Sequence, residues 1–249
     1  MLQNGKSRSH LTFDDGPDTR SGSANGTERI LHALENNPTG HALNAVFFIQ
    51  SHAKNDQNNY FRGMHSEGKR LVKKMTDAGH IVGVHTGMDG QNAHAEENDH
   101  PHRYDAEELM NDLNRAKDFI LRFAKQAARY VRPPYGNMDD EGNVQRTYDE
   151  AALYRIMWDV DSKDARTNST KETIKTALTE RIEELMERGD TKLVILFHDT
   201  HPVTNKAGNL GEFITTITDA IEDKGHTPTW DLSTERIRTI LDEYGENAR

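Results

Sequence analysis

The sequence predicts an α/β fold, a (β/α) barrel of about seven parallel strands, and three observations predict it. Short apolar runs alternate with longer segments of helical period, the pattern of βαβ units feeding a parallel sheet. The number of these units in 249 residues favours a barrel over an open sheet. No Pro/Gly/Ser-rich linker interrupts them, so residues 1–249 read as one domain.

In chain order, the first predicted strand covers residues 9–13 and runs into Asp14-Asp15-Gly16-Pro17. A helix over 27–34 leads to a second strand at 44–49, whose Ala45-Val46-Phe47-Phe48-Ile49 is apolar throughout, as burial on both faces requires. A helix over 68–78 precedes the strand at 80–84. The segment 106–127 spaces apolar residues three and four apart, as an amphipathic helix does. Strands at 130–132 and 154–160, a helix at 171–188, a strand at 192–197, a helix at 210–222 and a strand at 227–230 complete the predicted elements. Two long loops, 55–66 and 86–105, follow predicted strands on the face where barrel enzymes carry their chemistry.

Composition narrows the function classes. The formal net charge of -10 disfavours nucleic acid and anionic membranes as partners, and a neutral or cationic substrate fits it better. There is no cysteine, so any metal must be held by His, Asp or Glu. Residues 1–8 are polar and no stretch approaches a membrane span. The chain as it stands is accordingly expected to be soluble and cytoplasmic, or extracellular if an export signal has been removed.

Polar residues of chemical interest fall at the ends of apolar strands. Adjacent Asp14 and Asp15 repel each other unless a cation or a catalytic duty offsets the cost, though an Asx-type turn also fits them. Ile81-Val82-Gly83-Val84 ends at His85-Thr86. Arg132-Pro133-Pro134-Tyr135-Gly136 follows Tyr130-Val131, with two prolines stiffening the exit. Trp158-Asp159-Val160-Asp161-Ser162-Lys163-Asp164 and Leu196-Phe197-His198-Asp199 are the fourth and fifth such ends.

Five strand ends in this order resemble the polysaccharide deacetylases, the NodB-homology carbohydrate esterases, over about residues 9–243. The resemblance implies a distorted (β/α) barrel, a divalent ion (zinc first, with cobalt, nickel or manganese as alternatives) and an N-acetylated glycan or oligosaccharide as substrate. It implies Asp15 and His85 as metal ligands and Asp14 as the general base. His198, arriving from the opposite side of the barrel, is the implied acid. The same resemblance implies that Arg132 holds Asp14, Asp161 orients His198, the Tyr135 backbone N–H stabilises the oxyanion and Leu196 lines the acetate-methyl pocket.

Two departures stand out. The second motif of the family carries another His four residues after the first, and here that position is Asp89. Spacing favours Asp89 as the third ligand; His94 and His100 in the same loop are the rivals, His100 because His100-Pro101, followed by Asp105-Ala106-Glu107-Glu108, resembles the stretch after the second-motif His. The other loop histidines, His102 included, are expected to be solvent-exposed. Ala165 stands where the fourth motif usually ends in Trp, which opens the groove, and Tyr60, Phe61, Tyr104 and Trp230 are left as candidate stacking aromatics. Rival readings keep the fold but act on a cyclic amide or a xylan acetyl ester, or describe a silent sugar-binding protein.

Overall fold

A computed structural model describes residues 5–20, 25–55, 57–86, 99–230 and 233–246. Among the described residues, eight parallel strands form one curled sheet: β1 (Lys6–Gly16), β2 (Val46–Gln50), β3 (Ile81–Thr86), β4 (Tyr130–Val131), β5 (Tyr154–Arg155), β6 (Val160–Asp161), β7 (Lys192–His198) and β8 (Thr227–Thr229). Their order is β5-β4-β3-β2-β1-β7-β6, with β8 paired to the start of β1. Helices α1 (Gly26–Glu35), α2 (Ser66–Asp77), α3 (His100–Arg103), α4 (Ala106–Phe123), α5 (Asn143–Glu150), α6 (Lys171–Glu187), α7 (Asn209–Asp223) and α8 (Thr234–Glu246) complete the fold.

The predicted strand at 154–160 is divided. Its first residues pair with β4 and its last with β7, so the segment spans the two edges of the sheet. The Ile156 N–H still reaches the Val131 carbonyl (2.9 Å), and the Asp159 N–H already reaches that of Val194 (2.9 Å). Between those bonds the Ile156 and Met157 carbonyls are met by the Arg132 guanidinium, through Nε and Nη2 at 2.9 Å each. A side chain thus supplies the donors that a neighbouring strand supplies elsewhere, as buried carbonyls require.

Alternation along β2 separates two cores. Phe47 and Ile49 face the helical layer, where Phe13, Phe47, Phe197 and Phe213 form a stacked row. Val46 and Phe48 face the concave side with Ile81, Tyr130 and Val194, and Ile237 and Leu241 of α8 fill that side. The Tyr130 hydroxyl donates to Asp242 on the same helix (2.7 Å). Helices α3, α5 and α8 were absent from the predicted set. Among the described residues no helix is long and apolar enough to cross a membrane.

Candidate active site

Register places the site. Asp14 on β1 lies directly opposite His198 on β7. His198 therefore comes from the neighbouring strand, a correction to the expected approach from across the barrel. His85 ends β3, on the other side of β2, so the polar groups follow an arc along the strand ends. They line a cavity of about 610 Å³ whose walls include Asp14, Asp15, His85, Tyr135, Leu196 and His198.

Asp14 is buried and accepts from Arg132 Nη1 at 2.8 Å; the same nitrogen donates to Thr12 Oγ1 at 2.8 Å. Arg132 is fully buried, with the Phe48 ring 4.2 Å from its guanidinium carbon. It fixes one carboxylate oxygen of Asp14 and leaves the other, Oδ2, 3.9 Å from His85 Nε2.

Asp15 turns the opposite way because its backbone is left-handed (φ 70). Its Oδ1 accepts from Gln50 Nε2 (3.1 Å) and lies 3.4 Å from His85 Nε2. The His85 Nδ1–H donates to the Arg132 carbonyl (3.0 Å), which leaves Nε2 turned to the carboxylates. Burial disfavours charge on both residues. The His85 contact and the nearby His198 nevertheless hold the Asp15 carboxyl well below the usual range, and Asp14 with Asp15 raises His85. The space between Asp15 and His85 Nε2 favours positive charge.

His198 departs from expectation in its partner. Asp164, and not Asp161, accepts from its Nδ1 (2.7 Å) and from its backbone N–H (2.9 Å). Asp164 also accepts from the Thr204 hydroxyl and is fully buried. Asp161 instead accepts from the Lys163 N–H (2.7 Å) and lines the cavity. The reason is backbone direction: Asp161 is the last residue of β6, while Lys163 in a left-handed conformation (φ 58) turns the chain so that Asp164 points inward. Burial opposes the charge on His198, but Asp164 outweighs it and the imidazole is pushed up to about 10.

Tyr135 sits in a 3₁₀ turn, Pro134–Gly136, with φ 58, and its ring is among the few large exposed aromatic groups. Among the described residues, Asp15, Tyr135 and Lys163 make three of the six non-glycine residues with positive φ, and all three line this cavity. Backbone strain of roughly 1–3 kcal/mol per residue is thereby concentrated at one place, as at many functional sites. Gly16 has a separate reason: a Cβ there would collide with the Asp199 carboxylate. Asp199 is fully buried, accepts from Thr27 and is raised to about 7 by burial.

Of the third-ligand candidates, Asp89 and His94 lie outside the described residues. His100 opens α3, fully buried, with Nδ1 2.6 Å from the Tyr148 hydroxyl and Nε2 without a partner. Burial, with the charge on His85, pushes it down to about 3. Among the described residues no group of three imidazole or carboxylate side chains is arranged to hold a metal ion, so the Asp15–His85 pair needs a further donor. His102 is exposed as expected, though its Nδ1 contacts buried Asp99 (2.7 Å).

The expected stacking aromatics scatter. Phe61 lines the cavity, and Tyr104 packs against the core. Trp230 lies at the other end of the sheet, its indole donating to Thr218 (3.1 Å). Trp158 lines the cavity instead, packed against Gly136. Asp164, Gln50, Arg62 and Trp158 are the functional-site residues that sequence reasoning missed. For Asp164 the signal was present, since it stood in the same strand-end motif as Asp161.

The strand ends thus bring a buried Asp, an Asp–His pair and an Asp-backed His together in one pocket. A model of the polysaccharide deacetylase family matches residues 2–151, and the chain belongs to that family. The chain is 28% identical over 211 residues to the peptidoglycan-N-acetylmuramic acid deacetylase PdaC of Bacillus subtilis, covering 84% of this chain and 35% of that protein. It is 27% identical over 157 residues to a peptidoglycan-N-acetylglucosamine deacetylase of Bacillus cereus, covering 62% of this chain and 45% of that one. The chain thus spans between a third and a half of the length of these relatives. Its fold matches that of the chitin deacetylase of the fungal pathogen Colletotrichum lindemuthianum, with a TM-score of 0.64 at 23% identity, covering 92% of this chain and 88% of that one.

Proposed function

We propose that this domain hydrolyses the N-acetyl group of an N-acetylated amino-sugar glycan or oligosaccharide, releasing acetate and a free amine. The observation that carries the reading is the register pair Asp14–His198, which sets a carboxylate and a raised imidazole side by side at the rim of one cavity. The two peptidoglycan deacetylases to which the chain is similar support the same reaction class.

Two of the residues also suit a divalent ion, which needs a third donor. Asp15 and His85 offer an anionic oxygen and an imidazole nitrogen freed by the Arg132 carbonyl, and the third donor is Asp89, His94 or the orphaned His100 Nε2. When bound, the ion supplies a Lewis acid that brings the pKa of a water towards about 7. Asp14, held by Arg132, takes the proton of the attacking water. The acetyl carbon then becomes tetrahedral, and the Tyr135 backbone N–H stabilises its oxyanion. His198 donates its proton to the departing nitrogen as the C–N bond breaks. Asp164 keeps that imidazole charged at neutral pH. Buried Leu196, paired with Asp161 in the sheet, offers an apolar wall for the acetate methyl.

Acetate release from N-acetylglucosamine oligomers tests the reading. Zinc, cobalt, nickel and manganese are each added to chelator-treated protein, beside cyclic amides and acetylated xylan. The expected result is acetate from the N-acetylated oligomers, abolished by chelation and restored by at least one ion. No acetate with any ion defeats it, and turnover of only the xylan ester or a cyclic amide moves the activity to that bond.

A further inference from the structure

The acid excess of the chain, 41 Asp and Glu against 31 Lys and Arg, predicts a neutral or cationic substrate. Among the described residues, the cavity lining has the opposite balance. Its three carboxylates are engaged: Asp14 by Arg132, Asp15 by Gln50 and His85, and Asp161 by the Lys163 backbone. Facing them are the side chains of Lys54, Arg62, Lys163 and Arg166.

Among the described residues, Arg62, Lys163 and Arg166 make no ion pair and no side-chain hydrogen bond. Elsewhere the basic residues are commonly paired, as Arg70 is with Glu28 and Glu67, and Lys224 with Glu183 and Glu187. Arg62 is half-buried, its guanidinium 4.7 Å from the Phe61 ring centroid and its buried Nε without an acceptor. The charges of Asp15, Asp18 and Asp199 act on this guanidinium, but among the described residues no carboxylate accepts from its fork, which is left open to an anion. Lys163 and Arg166 share one turn, in which the Lys163 carbonyl accepts from the Arg166 N–H (3.3 Å) and the Ser169 hydroxyl (2.5 Å). Arg62 follows β2 and that turn follows β6, strands that lie on either side of β1 and β7. The cations therefore flank the catalytic pair from two walls.

We infer that the pocket takes a glycan bearing a carboxylate close to the acetamido group, and that Arg62, with Lys163 and Arg166, recognises that carboxylate. The inference rests on the deacetylase reading and adds the class of sugar. The carboxylate belongs either to an ether substituent of the acetylated sugar itself or to a neighbouring uronic acid; both present the same anion to the same fork.

Three tetramers separate these cases: neutral N-acetylglucosamine, the same backbone with 3-O-lactyl groups on alternate residues, and N-acetylglucosamine alternating with glucuronic acid. Each acid is also prepared as its amide. The metal-loaded chain is expected to show a kcat/KM about 10- to 100-fold higher on at least one acid than on its amide and on the neutral tetramer. The advantage should shrink as salt is raised. Arg62→Gln should remove most of it, and Lys163→Gln/Arg166→Gln a smaller part. Thermal melts check that Arg62→Gln folds, and the double variant alters exposed side chains only. Equal turnover of acid, amide and neutral tetramers overturns the inference, as does an acid preference that survives all three substitutions. Absence of acetate from every substrate defeats the deacetylase reading instead. Calorimetric titration then still decides the carboxylate claim: tighter binding of an acid than of its amide upholds it, and equal binding sinks it.

Discussion

Two histidines of the pocket, His198 and His85, are held by opposite kinds of partner. His198 gives its Nδ1 to a buried carboxylate, Asp164. His85 gives its Nδ1 to a backbone carbonyl, that of Arg132. A carboxylate stabilises the imidazolium and so prepares an acid; a carbonyl only fixes the tautomer and leaves Nε2 with its lone pair, which prepares a ligand. Strand position alone does not distinguish them, since both end apolar parallel strands. The partner on the far ring nitrogen separates the roles.

Removing the shared neighbour of both histidines breaks the arrangement most severely. Asp14→Asn keeps an acceptor for Arg132 but no longer takes a proton, and kcat should fall by up to about 10⁴-fold. KM for an N-acetylated oligomer should change little. A kcat within tenfold of the parent would remove Asp14 from the role of base.

The next contrast lies within the metal half. If His100 completes the coordination, His100→Gln should weaken zinc affinity by more than about 100-fold and Asp89→Asn should leave it almost unchanged; if Asp89 is the ligand, the effects exchange. Equilibrium dialysis with zinc decides this without any substrate. The structure does not gather Asp15, His85 and His100 into one metal-holding group, which favours the second outcome, although His100 Nε2 is buried without a partner.

Most of this site was legible because five strand ends announce their polar residues by following apolar runs. Asp14, Asp15, His85, Arg132 and His198 were found that way, and all five converge. The Asp161–Asp164 choice was not, since a one-turn reversal at Lys163 decides which carboxylate points inward and a positive φ at a lysine has no composition signal. The seam at residues 156–159 escaped for a related reason: an apolar run reads as one strand whichever neighbour it pairs with. Helix α8 was readable in principle, with Ile237, Ile240, Leu241 and Tyr244 at helical spacing. Arg62 had no signal at all, because an unpaired cation in a polar loop looks like any solvated one.

On the acid side, Asp164→Asn and Asp161→Asn should differ. The raised pKa of His198, about 10 against an ordinary 6.5, stabilises the fold fully below pH 6.5 and ceases to do so as the pH rises through 10. Without the Asp164 charge that pKa falls. The alkaline limb of kcat/KM should move to lower pH, kcat at pH 8 should drop by about 100-fold, and the melting temperature should fall at pH 6 more than at pH 10. Asp161→Asn should leave the alkaline limb in place. A limb that moves with Asp161 and not with Asp164 would reverse the assignment.

The smallest effect tests whether partner identity governs the third imidazole as it governs the other two. His100 Nδ1 meets the Tyr148 hydroxyl at 2.6 Å, and burial holds that phenol well above its ordinary pKa, so the pair stays neutral. A neutral partner places His100 with His85 on the ligand side of the comparison. Tyr148→Phe removes one hydrogen bond and little volume from a buried, aromatic environment. It should weaken zinc affinity by about tenfold if His100 ligates, and cost only about 1 kcal/mol of stability. Unchanged affinity in Tyr148→Phe, beside a large loss in His100→Gln, would mean that packing in α3 orients this imidazole without help from its hydrogen bond. The rule drawn from His85 and His198 would then stop at those two residues.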